Sequence, residues 1–259
     1  NPSNVHYPNY PAICLFSNVN LIMDNEAVIM ATGCSVGDYC VFDIENVDNV
    51  HIRGGQLLGE RKKHKGSGGE SGHGVFIKGS RNITIEDMEI CNNWGDGIYL
   101  GYKIASDYVH CENITIKNCA VYGNRRSAIS LTDGSNITIE GCDLKNASGI
   151  APHCGICIEP NFVSGKSRSD FMVKKLVLKD TTITSYDQGS WECMCFMTLS
   201  YGDSDTNKRE DHLTADDITI RNCTFNGWFG NYTGKNLKVD KSTKFNGTCD
   251  CDWPITWIN

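Results

Sequence analysis

Asp96 stands between two glycines in Gly95-Asp-Gly97, and Glu159 opens the Glu159-Pro-Asn161 segment at the end of an apolar run. His73, Arg125, Arg126 and His153 accompany them, with Trp94 and Tyr99 flanking the aspartate. Two chemistries are open to such a set. Hydrolysis of a glycosidic bond needs one protonated carboxylic acid and one ionised carboxylate. Elimination or C5 epimerisation next to a substrate carboxylate needs a cation to neutralise that carboxylate and a base to take the proton. Asp96 with a loop glutamate suits the first; Arg125 or Arg126 with His73, His153 or His64 suits the second. Plainer readings exist for each. Asp96 and His73 also suit turns, Arg125-Arg126 a solvated corner, and Glu159 a strand end stopped by Pro160.

The elements that must position these groups are written in a repeat. Asn82-Ile-Thr-Ile, Asn113-Ile-Thr-Ile and Asn136-Ile-Thr-Ile are one phrase, echoed at Asn18, Asn49, Lys175 and Asp217 at intervals of 23 to 42 residues. Each copy is followed by a second short alternating segment and then by a glycine-led one, as in His73-Gly-Val-Phe-Ile, Asp96-Gly-Ile-Tyr-Leu, Ser127-Ala-Ile-Ser-Leu and Cys154-Gly-Ile-Cys-Ile. Three short strands per repeat, each apolar at every second position, predict an all-β chain: a right-handed parallel β-helix solenoid of about seven coils with capped ends. The reading is a single domain over residues 1–259. Residues 1–17 are an N-terminal cap or cut edge, 18–227 the coils and 228–259 a C-terminal cap.

Alternation then assigns directions. Val75, Ile98, Ile129 and Ile156 point inward, so Phe76, Tyr99, Ser130 and Cys157 face outward. His73, Asp96, Ser127 and Cys154 form a column at the leading edge of these strands; Lys78, Thr132 and Glu159 stand at the trailing edge, with Asn161 close by. Insertions at residues 59–72, 101–112, 161–174 and 200–215 flank this strand stack, which places a groove along its outward side. An exposed aromatic among carboxylates, arginines and histidines suits a long polar ligand, above all a polysaccharide. Adjacent coils rise by about 4.8 Å, so His73, Asp96 and Arg126 fall within one ligand's reach. Asp96 and Glu159 are roughly 10 Å apart along the axis and roughly 15 Å along the strand. That exceeds the roughly 5–10 Å of paired glycosidase carboxylates, so Glu60, Glu70, Asp187 or Glu192 is the expected partner of Asp96.

Composition narrows the classes. A net charge of −7 with no offsetting basic patch argues against nucleic acid as a partner. No apolar run approaches the roughly 20 residues of a membrane span, and the first residues do not read as a signal peptide. Of the fourteen cysteines, Cys119, Cys142 and Cys223 share an inward column with Met88 and Thr181, as small apolar side chains. Cys193-Met-Cys195 and Cys249-Asp-Cys251 lack a second pair at zinc-finger spacing, so no metal and no cofactor is expected, with a calcium ion the one exception left open. So many thiols suit assembly in a reducing or anaerobic setting. The sequons at Asn82, Asn113 and Asn136 lie in the repeat phrase, where a stacked asparagine serves the turn rather than a glycan.

At Gly59-Glu-Arg61 with His64, Gly95-Asp-Gly-Ile98, Asn124-Arg-Arg126 and Gly155-Ile-Cys-Ile-Glu-Pro-Asn161, the chain resembles bacterial and phage right-handed β-helix proteins of the pectate-lyase-like superfamily. The resemblance spans about residues 18–161. It implies glycan processing by a lyase, a glycoside hydrolase or a C5-epimerase, a bacterial or phage origin, and a homotrimer if the chain is of the tailspike kind. It carries over to Arg61, His64, Asp96, Arg126, Glu159 and Asn161. The expected catalytic set is Asp96, His73, Arg126 and Glu159. The expected binding set is Arg61, His64, Glu70, Trp94, Tyr99, Arg125, His153, Cys157 and Asn161. One departure matters: members of that family commonly carry aspartate where this chain has Cys157. The alternative is therefore a non-catalytic glycan-binding or structural module, such as part of a phage tail fibre or adhesin.

Overall fold

The computed structural model describes residues 10–104, 107–145, 147–185, 193–199 and 212–259. It is a parallel β-helix. Three sheets of nine, nine and eight strands stack coil upon coil, each strand pairing in parallel with the equivalent strand one coil before and after. The strands carrying the Asn-Ile-Thr-Ile phrase, among them Arg81–Glu86, Glu112–Lys117 and Ser135–Glu140, make one sheet. The glycine-led strands, among them Ser71–Lys78, Ile98–Gly101, Ile129–Leu131 and Ile156–Ile158, make the second. Short strands such as Glu89–Cys91 and Ala120–Tyr122 make the third.

Register converts the period-two pattern into columns. Ile83, Ile114, Ile137 and Leu176 are successive partners in the first sheet, as are Val75, Ile98, Ile129 and Ile156 in the second. All eight are fully buried in one continuous apolar core. Met88, Cys119, Cys142, Thr181 and Cys223 are buried at the corner they were expected to share. There each thiol or hydroxyl from Cys119 onward bonds the backbone carbonyl two residues earlier, as Cys142 does to Glu140 at 3.3 Å. Burial pushes the Cys223 thiol up to about 12, which keeps it protonated and unreactive. Among the described residues, which hold all fourteen cysteines, no disulfide is formed.

The repeated asparagine has a clear task. Asn18, Asn49, Asn82, Asn113 and Asn136 all adopt left-handed backbone, with φ between 55° and 64°. Asparagine tolerates that region better than any residue but glycine, because its short amide bonds locally. Here the amides bond one another along the solenoid: Asn82 donates to Asn49 at 3.2 Å, Asn113 to Asn82 at 3.0 Å and Asn136 to Asn113 at 2.9 Å. Replacing Asn113 by valine is expected to destabilise the fold by about 1–2 kcal/mol through backbone strain, beyond the lost ladder bonds. Asn113→Gly should cost less than that, and comparison of the two urea midpoints checks it.

The ladders also run farther than the phrase. The sequence reading ended the coils at residue 227, but Trp228–Asn231, Gly234–Asp240 and Lys244–Phe245 extend all three sheets, and Cys249–Cys251 and Thr256–Ile258 extend two of them again. Asn236 takes the corner with φ 55°, and Leu237 and Val239 fill the core columns, without the Ile-Thr-Ile wording that marks the middle coils. At the other end Tyr10–Cys14 is already a strand paired to Asp38–Glu45.

Two insertions pack on each other beside the glycine-led sheet. Residues 101–112 contain an antiparallel pair, Lys103–Ile104 with Tyr108–Val109. The insertion after Asn161 contains a short helix, Arg168–Phe171. The Phe171 ring meets Tyr102 and Tyr108 edge-on at 5.1 Å each, burying the phenylalanine completely.

Candidate functional site

Outward direction proves different from exposure. Phe76, Tyr99, Ser130 and Cys157 leave the solenoid core on the outward face, yet all four are buried. Phe76 and Tyr99 form a small apolar cluster with Cys40, and Cys157 packs with Cys154, Met194 and Met197. The open groove expected along this face is therefore covered at its centre. Alternation fixes which way a side chain leaves the strand; it says nothing about what lies over it.

What remains is a compact cluster of charges around Arg126. The corners that carry Trp94–Asp96 and Arg125–Ser127 are fixed from beneath by Asn93 and Asn124, both fully buried; the Asn93 side-chain amide donates to Asn124 Oδ1 at 2.9 Å. Asp96 needs its glycine neighbours for close packing. A Cβ on Gly97 would lie 2.4 Å from Val121 and 2.7 Å from the Ala128 carbonyl, and one on Gly95 would lie 2.6 Å from the Glu70 carbonyl. Asp96 itself is fully buried. Its Oδ1 accepts the Ser127 N–H at 2.8 Å, and its Oδ2 accepts Arg126 Nη1 at 3.1 Å.

Arg126 then joins Asp96 to the residue the spacing had separated from it. Its Nη2 donates to Glu159 Oε2 at 3.4 Å, and its Nε stands 3.9 Å from Glu70 Oε2. The carboxylates of Asp96 and Glu159 thus lie within roughly 9 Å, and those of Glu70 and Glu159 within roughly 10 Å, both compatible with paired carboxylates. The sequence arithmetic excluded the Asp96–Glu159 pair because it measured backbone positions. The Arg126 guanidinium, bonded to both, spans the gap.

The three carboxylates differ in setting. Asp96 has no exposure, the Glu159 side chain is 16% exposed and the Glu70 side chain 48%. Burial pushes the Glu159 carboxyl above the ordinary glutamate range; Arg126 pulls it back, while Asp96 and Glu70 push it further up. Burial works against the charge on Arg126, but Asp96, Cys157 and Glu159 outweigh it and hold the guanidinium above the usual arginine range. It stays a cation.

His73 is buried against Phe76 and Tyr99, with ring centroids 5.4 and 4.8 Å away. Its Nδ1 accepts the backbone N–H of Asp96 at 3.1 Å, so the neutral ring carries its proton on Nε2. Tyr99 accepts a hydrogen bond from Asn161 at 3.1 Å. His73, Asp96, Tyr99 and Asn161 belong to one neighbourhood with Arg126.

Other expected site residues are placed elsewhere. Trp94 is sandwiched between His64, stacked at 3.7 Å, and the Arg125 guanidinium at 3.8 Å. Arg125 also donates to the carbonyls of Gly69 and Ser67, closing the loop that ends at Glu70. Arg61 donates to the carbonyls of Gly123 and Asn124 at 2.8 Å each, a tie between coils. Glu60 is buried, accepting from Tyr39 at 2.8 Å and facing His64 at 2.6 Å, and does not partner Asp96. His153 is half-buried, with φ 53°, beside Cys154 one coil beyond Arg126. Asp187, Glu192 and the start of the 200–215 insertion lie outside the described residues. Sequence reading gave Cys34 and Tyr39 no role, because each lies more than twenty residues from Glu60, with no motif spacing to join them.

Comparison with known proteins agrees with the architecture. Residues 2–162 match the family model described as a right-handed β-helix region. The chain belongs to that family. It is 36% identical over 154 residues to the uncharacterised protein YclG of Bacillus subtilis, covering 55% of this chain and 26% of that protein. It is 30% identical over 157 residues to the SPbeta prophage-derived uncharacterised protein YorA of the same organism, covering 55% and 27%. The chain thus spans about a quarter of these relatives. Among solved structures it is similar to tailspike protein gp49 of Acinetobacter baumannii bacteriophage Fri1, a capsular polysaccharide depolymerase. There the TM-score is 0.56 at 19% identity, over 82% of this chain and 34% of the tailspike. ORF18 of Geobacillus virus E2 gives a TM-score of 0.50 at 11% identity, over 91% and 44%. Among the described residues no helix is long and apolar enough to cross a membrane.

Proposed function

We propose that this chain is a glycan-processing β-helix that hydrolyses a polysaccharide at the Arg126 cluster. Glu159 is the general acid, Glu70 the ionised partner that activates water or attacks, and Asp96 the group that orients Arg126. The observation that carries this reading is the unlike setting of two carboxylates beside one guanidinium. Glu159 is partly buried and biased toward its protonated form, while Glu70 is open to solvent. Burial that favours the protonated form of one carboxyl is how such a site supplies a general acid.

The same cluster argues against the lyase and epimerase readings. Arg126 is already bonded to Asp96 and Glu159, with Glu70 close by, so its charge is engaged rather than free for a uronate. The lone pair on His73 Nδ1 is occupied by a backbone N–H. A neutral sugar chain suits this site better than an acidic one. Likeness in fold to a capsular polysaccharide depolymerase supports glycan as the ligand class.

A second reading is favoured by one feature. Cys157, where the wider family commonly carries aspartate, sits in an apolar cluster with Met194 and Met197, which suits a chain that holds glycan without cutting it. A polysaccharide panel separates the readings. New reducing ends without ultraviolet absorbance from unsaturated uronates support the hydrolase, and absorbance overturns it in favour of a lyase. Binding with no new ends supports the non-catalytic module, and a trimer by sedimentation would then favour the tail-fibre form.

A further inference from the structure

We infer that Cys34, Glu60 and His64 form a binding site for a transition-metal dication, with zinc the best match to the donors. The three residues come from two successive coils. Cys34 lies in the connection between Val28–Met30 and Asp38–Glu45, whereas Glu60 and His64 bracket the short 3-10 turn Arg61–Lys63 of the next coil. One ligand atom from each lies within 4.8 Å of the other two. Tetrahedral bonds of roughly 2.0–2.3 Å place donors about 3.3–3.8 Å apart, so sides of up to 4.8 Å need to close by at most about 1.5 Å, and the 2.6 Å His64–Glu60 contact opens as its proton leaves.

The surroundings are those of a held ligand set. Glu60 and the His64 side chain are almost completely buried against each other, an environment that is costly for a carboxylate with no cation nearby. Tyr39 donates to Glu60 Oε1 at 2.8 Å and so orients the carboxylate from behind. Trp94 stacks on the imidazole at an interplanar angle of 10° and fixes its plane. Two bonds tie Cys34 to the same loop: its carbonyl accepts Lys65 N–H at 2.7 Å, and its own N–H points to Glu60 Oε2 at 3.5 Å.

The donor chemistry selects the ion. Thiolate, imidazole and carboxylate together favour zinc, or cobalt in its place, over calcium or magnesium, which take all-oxygen shells. Binding displaces the proton shared by His64 and Glu60 and the Cys34 thiol proton, so affinity falls as pH falls. Three protein ligands leave one position for water. The ion would tie His64, at the start of the loop, to the coil that carries Cys34; the inference itself does not depend on the hydrolase reading.

Cobalt(II) titration of the reduced full chain tests it, in a Cys249→Ser/Cys251→Ser background that removes the other thiol pair close to solvent. The expected result is one cobalt per chain, with a thiolate charge-transfer band and the intense visible bands of four-coordination, all displaced by zinc. Cys34→Ser or His64→Ala should weaken binding more than about 10-fold and remove the charge-transfer band in the first case, with the far-ultraviolet dichroism unchanged. A measurement without substitution runs beside it: zinc should slow alkylation of Cys34, read by peptide mass spectrometry, and leave Cys14 unprotected. A band that survives Cys34→Ser, or alkylation of Cys34 at the same rate with and without zinc, would overturn the assignment and leave the Glu60–His64 contact as an ordinary buried hydrogen bond.

Discussion

Glu159→Gln is expected to lower polysaccharide cleavage by about 10²–10⁴-fold in kcat while glycan binding persists, the range associated with loss of a general acid. The substitution keeps the side chain's shape and its acceptor toward Arg126 Nη2, so the cluster should survive. Reducing-end release and oligosaccharide affinity, measured on the same preparation, check both halves. Unchanged turnover would remove Glu159 from the chemistry. Glu70→Gln should produce a loss of similar order, because an acid without its ionised partner completes no hydrolysis.

Arg126→Ala has the largest expected effect on the fold itself. Asp96 is fully buried, with the Arg126 guanidinium bonded to its Oδ2 at 3.1 Å and His73 Nδ1 at 3.5 Å from the same oxygen. Stripping one partner from a buried ion pair leaves an uncompensated charge and costs about 3–5 kcal/mol. Arg126→Lys should recover only part of this, since one ammonium cannot reproduce the forked contact to Asp96 and Glu159. Adding Asp96→Asn to Arg126→Ala should cost less than the two single losses together, because the stranded charge is gone. Urea unfolding of the four variants measures this directly. Equal losses for the double variant and for the sum of the singles would mean that the pair does not act as a unit.

Much of the scaffold could be read from the chain because its physics is periodic. Apolar residues at every second position define a buried face, and a left-handed corner filled by asparagine recurs where the phrase does, so Ile83, Ile114 and Ile137 fall into one column without any further information. The last coils were missed for the same reason: Leu237-Lys-Val239 keeps the pattern but drops the wording. Long-range cover was not legible. Nothing in Ile98-Tyr-Leu100 reveals that the outward tyrosine is buried against Phe76 and His73.

The site was legible in its members more than in its geometry. His73, Asp96 and Arg126 fall together as coil spacing required, and Tyr99 and Asn161 join them. Glu159 was separated from Asp96 by backbone distance and returned by side-chain reach through Arg126. His64 and Arg61 came with the resemblance as glycan contacts, yet one faces a buried glutamate and the other two backbone carbonyls. Only the folded chain shows that, since Glu60, Cys34 and Tyr39 are unrelated in sequence spacing.

The pH dependence of cleavage tests the central claim most directly. Glu159 has a folded-state pKa raised by burial. Its protonated form therefore stabilises the fold below the unfolded value, and both that stability and the acid needed for catalysis are lost as pH rises through the folded value. The account predicts an alkaline limb in kcat/KM lying above the ordinary glutamate range for the unaltered protein, and no such limb in the residual activity of Glu159→Gln. An identical alkaline limb in both would contradict it and place the catalytic acid elsewhere.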